Sequence, residues 1–336
     1  MQVGVAGASG YAGAELLRLL AGHEAFELSV AMGQRHEGTA VAEHTPSLAA
    51  AYPGLIYEAT SAEGLDGLDL VFLALPHGAS QAIVPDLIGR VGTIVDLGAD
   101  FRLDPATYEL WYGDVHTSPE LCRSFVYGLV ERARPSLSGA TMIASPGCYP
   151  TAATLALAPF ADADLIDLSD VIVDAASGVS GAGRASTDRL HFAAVDESYS
   201  AYGLLDHRHT AEMEQNLGAT VLFTPHLAPM VRGMLVTAHA RPTASLSTAE
   251  AIELLHLAYD DEPFVHVVTE PPSTKQASGS NSAFVTARVD IRTGRLLVLC
   301  AIDNLGKGAA GQAIQAANVA VGLNEGMGLS AVGLYP

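Results

Sequence analysis

The residues best suited to chemistry lie in short runs bounded by glycine or proline. Cys148 sits in Ser145-Pro-Gly-Cys-Tyr-Pro-Thr151, between a predicted strand and a predicted helix over Thr151–Ala158. A cysteine at a helix start has its thiolate stabilised by the positive end of the helix dipole, and the thiolate is the nucleophilic form. The flanking Pro-Gly and Tyr-Pro force a sharp turn before the helix and favour an exposed, aimed thiol. Of the three cysteines, Cys122 and Cys300 lack this setting; Cys300 falls inside an apolar strand, and both are read as buried core. His207-Arg-His209 precedes a helical stretch over Thr210–Leu217. An imidazole is the usual proton shuttle beside a thiolate, although on the residues alone the pair is equally two surface histidines at a helix start. No further ligands stand at zinc spacing, so no metal is expected.

A second chemistry is phosphate holding. Gly7-Ala-Ser-Gly-Tyr-Ala-Gly13 falls at the first strand-to-helix turn, where backbone N–H groups and a helix N-terminus receive a pyrophosphate. Gly7, Ser9, Gly10, Tyr11 and Gly13 are therefore candidate cofactor contacts; the alternative is a glycine turn that only packs helix on strand. An NAD site places Asp or Glu at the end of the second strand, but here that region reads Ala31-Met-Gly-Gln-Arg35 without a carboxylate. Arg35 either pairs with a 2'-phosphate, which points to NADP, or is a solvated surface arginine. Ser177-Gly-Val-Ser-Gly-Ala-Gly-Arg184 is another glycine-rich turn after a strand, and Ser180 and Gly181 are candidates to hold a cofactor ring or phosphate through the backbone.

These residues need elements to position them. Apolar runs at Val3–Ala6, Phe26–Met32, Asp69–Leu75, Thr93–Leu97 and Thr141–Ala144 read as strands, with helices such as Glu15–Leu20 and Ala79–Ile88 between them. That alternation implies a parallel, Rossmann-type α/β sheet. After Pro150 the texture changes: strands are predicted at Val171–Ala175, Val221–Thr224, Met234–Ala240, Phe264–Val268, Ala283–Ile291 and Leu296–Ile302. The last two join across Thr293-Gly294 as a hairpin, which indicates a second α+β domain with a mostly antiparallel sheet. Ser247-Thr-Ala-Glu250 has capping-box form and starts a helix, and a last helix runs over Ala309–Leu323. The expected domains are residues 1–147, rejoined by 307–336, and residues 148–306.

Composition narrows the partners. Across 336 residues, 17 basic and 37 acidic side chains give a net charge of -20, with no Lys/Arg block, so nucleic acid is not an expected partner. The longest uncharged run, Pro135–Ala161, is broken by Pro146, Pro150 and Pro159, so no membrane span is expected. The N-terminus lacks secretory-signal features, and the cysteines are odd in number and far apart; both point to the cytoplasm.

Together with Ala74-Leu-Pro-His-Gly78, Asp96-Leu-Gly-Ala-Asp-Phe-Arg102, Phe223-Thr-Pro-His226, Arg232-Gly233 and the run Asp303–Gly311, these motifs resemble, over nearly the whole chain, the N-acetyl-gamma-glutamyl-phosphate reductases of the wider semialdehyde dehydrogenase group. Ser145 stands where Asn is common and Gly98 where Ser is frequent; neither change removes a reacting group. The resemblance implies an NADP-linked step of arginine biosynthesis with Cys148 as nucleophile, His209 as acid/base, His207 and Tyr202 near the substrate, and a homo-oligomer, dimer or tetramer. The substrate's phosphate and carboxylate need arginines, for which Arg184, Arg232 and Arg102 are candidates, the first two because their glycine-bearing motifs leave backbone room. The alternatives are a reductase of aspartyl phosphate or of a carrier-bound aminoadipyl or glutamyl phosphate, and a catalytically silent NADP-binding regulator with Cys148 as its sensor. An acidic chain suits an acidic carrier poorly.

Overall fold

The structure, a computed structural model, describes residues 1–335. The chain divides into two compact units: Met1–Pro146 with Ala309–Leu329, and Gly147–Gly308 with the tail that starts at Ser330.

In the first unit, β1 (Gln2–Ala6), β2 (Glu27–Met32), β3 (Leu70–Leu73), β4 (Thr93–Asp96), β5 (Val126–Tyr127) and β6 (Met142–Ala144) form one parallel sheet in the order β2-β1-β3-β4-β6-β5. The central strands read as unbroken apolar runs because both faces are covered. Val3, Val5, Phe72 and Val95 pack with the helices Tyr11–Leu20 and Gly311–Ala320, while Val71, Leu73 and Ile94 pack with Val84 and Leu87 of the helix Ala79–Leu87. From β1 the chain moves out to β2 and returns on the other side to β3, so the strand order reverses at β1/β3, where α/β sheets receive ligands at their carboxyl ends.

Two details depart from the sequence expectation. β5 is only two residues long and its pairing with β6 supplies what local pattern does not. The tail expected to rejoin the first domain leaves it after Leu329: Asn281 N–H donates to Ser330 O, Ser282 Oγ to Ala331 O and Leu334 N–H to Ser278 O, each at 2.8 Å, so the polar groups of this segment are satisfied by the turn before the strand at 283.

In the second unit, β7 (Ile166–Gly178), β8 (Ser200–Ala201), β9 (Val221–Ala228), β10 (Met234–Pro242), β11 (Val265–Val267), β12 (Ala283–Asp290) and β13 (Arg295–Ile302) form a sheet in the order β11-β12-β13-β10-β7-β9-β8. Four of its pairings are antiparallel, including the expected β12–β13 hairpin, whose turn uses Gly294 at φ +67°. The pairs β7·β9 and β11·β12 are parallel, which the hairpin alone did not foretell. Each is joined by a crossover carrying a helix, His209–Leu217 in the first case and Thr274–Ala277 in the second.

The second unit's core is built around the helix Cys148–Asp162, whose residues 149–161 are all buried, against Val171, Val173, Ala175, Val236, Ala238, Val298 and Cys300 of the sheet. This helix starts at Cys148 itself, earlier than expected. Pro150 is tolerated because N–H groups in a first helical turn have no intrahelical acceptor. Pro159 lies further in and deprives the Leu155 carbonyl of its donor; Tyr259 OH supplies one at 2.8 Å from the helix Thr248–Tyr259. That second helix begins with the expected capping box, Ser247 Oγ accepting from Glu250 N–H and Glu250 Oε2 from Ser247 N–H. Among the described residues no helix is long and apolar enough to cross a membrane.

Candidate active site

Gly147, in extended conformation, caps the helix that Cys148 opens, and Cys148 is half-buried. The cap is held from outside: Gly147 N–H donates to Glu212 Oε1 at 2.7 Å, and Glu212 is 2% exposed. The Gly147 carbonyl accepts from both Thr151 N–H and Thr151 Oγ1 at 2.9 Å. Glu212 was missed from the sequence, yet it stands one helical turn after His209, so both lie on one helix face. Gly308, quoted only as part of the run Asp303–Gly311, also bears on the cysteine. A Cβ there would lie 2.8 Å from the Cys148 Cβ, so only glycine leaves the cysteine its space.

Aromatic rings surround the cysteine's neighbour. Tyr149 lies 5.5 Å from the His207 ring and 5.9 Å from the His209 ring, and the two imidazoles are 4.9 Å apart. Tyr149 OH meets Tyr202 OH at 3.1 Å, and the Tyr202 ring is 5.4 Å from His207. The structure thus brings Tyr202, His207 and His209 to one place beside the Cys148 helix. Gly203 and Leu205, at φ +55° and +67°, bend the segment that delivers Tyr202 and His207; at Leu205 the left-handed backbone costs about 1–2 kcal/mol.

His207 and His209 do different things. Burial pushes His207 down to about 4, so it is neutral at physiological pH. Its Nδ1 accepts from His209 N–H at 3.2 Å, which places the ring proton on Nε2 as a donor. Burial also pushes Tyr202 up to about 12 and Tyr149 upward, with charge on Cys148 adding to both shifts; the two phenols remain protonated.

Beyond the cysteine, Asp303 and Asn304 organise the run that ends at Gly308. Fully buried Asp303 accepts from Leu305, Gly306 and Gly279 N–H groups at 2.8, 3.1 and 2.6 Å and forms an ion pair with Arg232 Nε at 3.0 Å. Asn304 accepts from Gly233 N–H at 2.8 Å and donates to Ser180 Oγ at 2.9 Å. Ser180 is buried, while Gly181 and Arg184 are exposed.

In the first unit, the turn after β1 has the geometry of a phosphate cradle. Gly7 has φ +81°, and a Cβ there would lie 2.2 Å from Ala74 O. At Gly13 a Cβ would lie 2.2 Å from Gly7 O, so glycine permits the helix to sit against the turn. Gly10 is the N-cap of the helix and Tyr11 its exposed first residue; the Ser9 carbonyl faces His44 Nε2 at 3.3 Å. Arg35 lies exposed in the short turn Gln34–His36 that follows β2. Arg102 Nη2 donates to Leu97 O at 2.7 Å, tying down its own loop. Cys122 and Cys300 are buried, and burial pushes the Cys122 thiol up to about 11.

Residues 2–140 match the family model described as semialdehyde dehydrogenase, NAD binding domain, and residues 148–304 that described as semialdehyde dehydrogenase, dimerisation domain. The chain is 45% identical to the N-acetyl-gamma-glutamyl-phosphate reductase of Symbiobacterium thermophilum, over 100% of this chain and 99% of the relative. It is 47% identical to the protein of that name from Arthrobacter sp. strain FB24, again over 100% and 99%. Among solved structures, aspartate semialdehyde dehydrogenase II from Vibrio cholerae is similar in fold, with a TM-score of 0.70 at 18% identity over 95% of this chain and 97% of that one.

Proposed function

Because the chain belongs to the semialdehyde dehydrogenase family, and within it to the N-acetyl-gamma-glutamyl-phosphate reductases, we propose that it reduces N-acetyl-gamma-glutamyl phosphate to N-acetylglutamate semialdehyde, with release of phosphate, in arginine biosynthesis. The observation that carries this reading is Cys148 at the first position of a buried helix, beside the ring cluster of Tyr149, His207 and His209. His209 takes the thiol proton, and the Cys148 thiolate attacks the acyl carbon. The bond from that carbon to the phosphate oxygen breaks, phosphate leaves with the electron pair, and a thioester to Cys148 remains. His207, a neutral Nε2–H donor, holds the acyl oxygen.

The turn at Gly7–Gly13 fits a dinucleotide, since its close backbone approaches leave room only for glycine. Gly7, Ser9, Gly10, Tyr11 and Gly13 would hold the pyrophosphate. Arg35, with no carboxylate at the end of β2, would take a 2'-phosphate, so the cofactor is NADPH. When bound, it supplies the hydride that reduces the thioester. His209 then protonates the tetrahedral oxygen and takes the proton back as the carbon–sulfur bond breaks and the aldehyde forms.

The second unit also supports a homo-oligomer. The face of its sheet turned away from the helix Cys148–Asp162 carries half-buried Leu235, Leu297 and Leu299 and exposed Leu222, an apolar surface suited to a second copy of the same sheet. The reaction would run in the cytoplasm. The test is anaerobic, NADP-dependent oxidation of N-acetylglutamate semialdehyde in phosphate, with aspartate semialdehyde alongside. Higher efficiency on the acetylated substrate is expected; equal or higher efficiency on aspartate semialdehyde would overturn the assignment.

A further inference from the structure

The sequence offers Arg102, Arg184 and Arg232 to meet the substrate's anionic groups. Arg102 is bound to Leu97 O, Arg232 Nε faces buried Asp303, and Arg184 is exposed on its glycine-rich turn. Arg189, which the motifs do not single out, is exposed as well, but its guanidinium carbon lies 5.3 Å from the centroid of the Tyr202 ring. It is carried by the short turn Asp188–Leu190, closed by Leu190 N–H to Thr187 O at 2.9 Å. From Tyr202 the path to the nucleophile is short: Tyr202 OH meets the hydroxyl of Tyr149, the residue after Cys148, and charge on Cys148 contributes to raising Tyr202.

The substrate of the reduction proposed above has a reacting carbonyl at one end and a free α-carboxylate at the other, with a neutral acetamide beside it. A guanidinium over an aromatic ring gains cation–π attraction and keeps an N–H edge available to a carboxylate, which it can grip in bidentate fashion. Among the described residues Arg189 makes no ion pair or hydrogen bond that uses up that edge. We propose that Arg189, held over Tyr202, is a specificity-determining residue that selects acyl phosphates bearing a free α-carboxylate. The inference rests on the proposed reduction for its substrate and on the Arg189–Tyr202 contact for its site.

Two measurements test it with Arg189→Ala and Arg189→Lys. The first is the ratio of kcat/KM for N-acetylglutamate semialdehyde to that for its α-methyl ester, in the oxidative direction. The second is the Kd of N-acetylglutamate, a stable ligand, by calorimetry. Arg189→Ala should lower the ratio and weaken N-acetylglutamate by about 10- to 100-fold, with Arg189→Lys between, because the charge stays and the fork is lost. A ratio and Kd equal to those of the wild type, or equal losses on acid and ester, overturn the proposal. A wild-type protein that oxidises neither substrate yet binds N-acetylglutamate in an Arg189-dependent way would refute the proposed reaction while supporting the carboxylate site.

Discussion

At the scale of single residues, chemistry turns on what burial and helix geometry do to ordinary side chains. Cys148 differs from Cys122 and Cys300 by place: it opens a helix, whereas the others lie in the core. Cys148→Ser should abolish turnover and leave NADPH binding by fluorescence titration intact, since a serine hydroxyl is barely ionised at neutral pH. Near-wild-type turnover would rule out a covalent path. His207 makes a separate prediction about stability. Its folded value of about 4 lies below the unfolded 6.5, so as pH falls from 6.5 the unfolded chain takes up a proton that the folded chain does not. Stability should therefore be full above pH 6.5 and lost progressively toward pH 4, by about 2–4 kcal/mol from this residue. Urea midpoints at pH 7 and pH 4.5 for wild type and His207→Asn measure it: the variant should lose less on acidification, and parallel losses would show that His207 is not the source. Cys148 stands out by residue type and position, whereas the histidine pair stands out only through the family resemblance; the structure brings the pair beside the helix that Cys148 opens. The parts of Glu212 and Gly308 were not legible, because each depends on a contact with the Cys148 turn from a segment far away in sequence, and Arg189 lies in no motif.

At the scale of elements, local pattern carried the strands of the first unit, since a doubly covered parallel strand is a plain apolar run. It carried less where pairing is decided at a distance. β7 extends over Ile166–Gly178 although Asp167, Ser169, Asp170 and Asp174 interrupt its apolar run, and its parallel partner β9 arrives only after a crossover. The Cys148–Asp162 helix shows both effects. Its start moved to Cys148 because proline is harmless in a first turn, and its passage through Pro159 depends on a hydroxyl from another helix. Tyr259→Phe should leave the Leu155 carbonyl buried without a donor and cost about 1–3 kcal/mol, read as a lower thermal or urea midpoint. Activity at temperatures where the variant is folded should change little, as the contact is with the helix that bears Cys148 and not with the cysteine. An unaltered midpoint would mean that water or a shift of the helix satisfies Leu155 instead.

At the scale of the whole molecule, the sheet of the second unit raises the question of what covers its outer face. One face is filled by the helices Cys148–Asp162 and Thr248–Tyr259. On the other, register aligns Leu299 with Thr237 and Thr286, and Leu297 with His239 and Arg288, so the two leucines lie in rows of mixed polarity across the centre. Such a surface is too apolar to be ideal in water and polar enough to define an orientation, the combination that suits an isologous contact between two copies. A net charge of -20 opposes association at long range, so the proposed contact would have to be made by the patch itself, and added salt should strengthen it by screening. With a chain mass of 34.8 kDa, light scattering should give at least twice that mass for the wild type. Leu299→Asp would place a carboxylate at the centre of each partner's patch, two across a twofold contact, and should shift the protein to the monomer mass at the same concentration. Leu257→Asp, exposed on the helix of the opposite face, should leave the oligomer unchanged. A wild-type monomer, or a Leu299→Asp variant with undiminished mass and an unaltered circular dichroism spectrum, would show that the copies do not meet on this face.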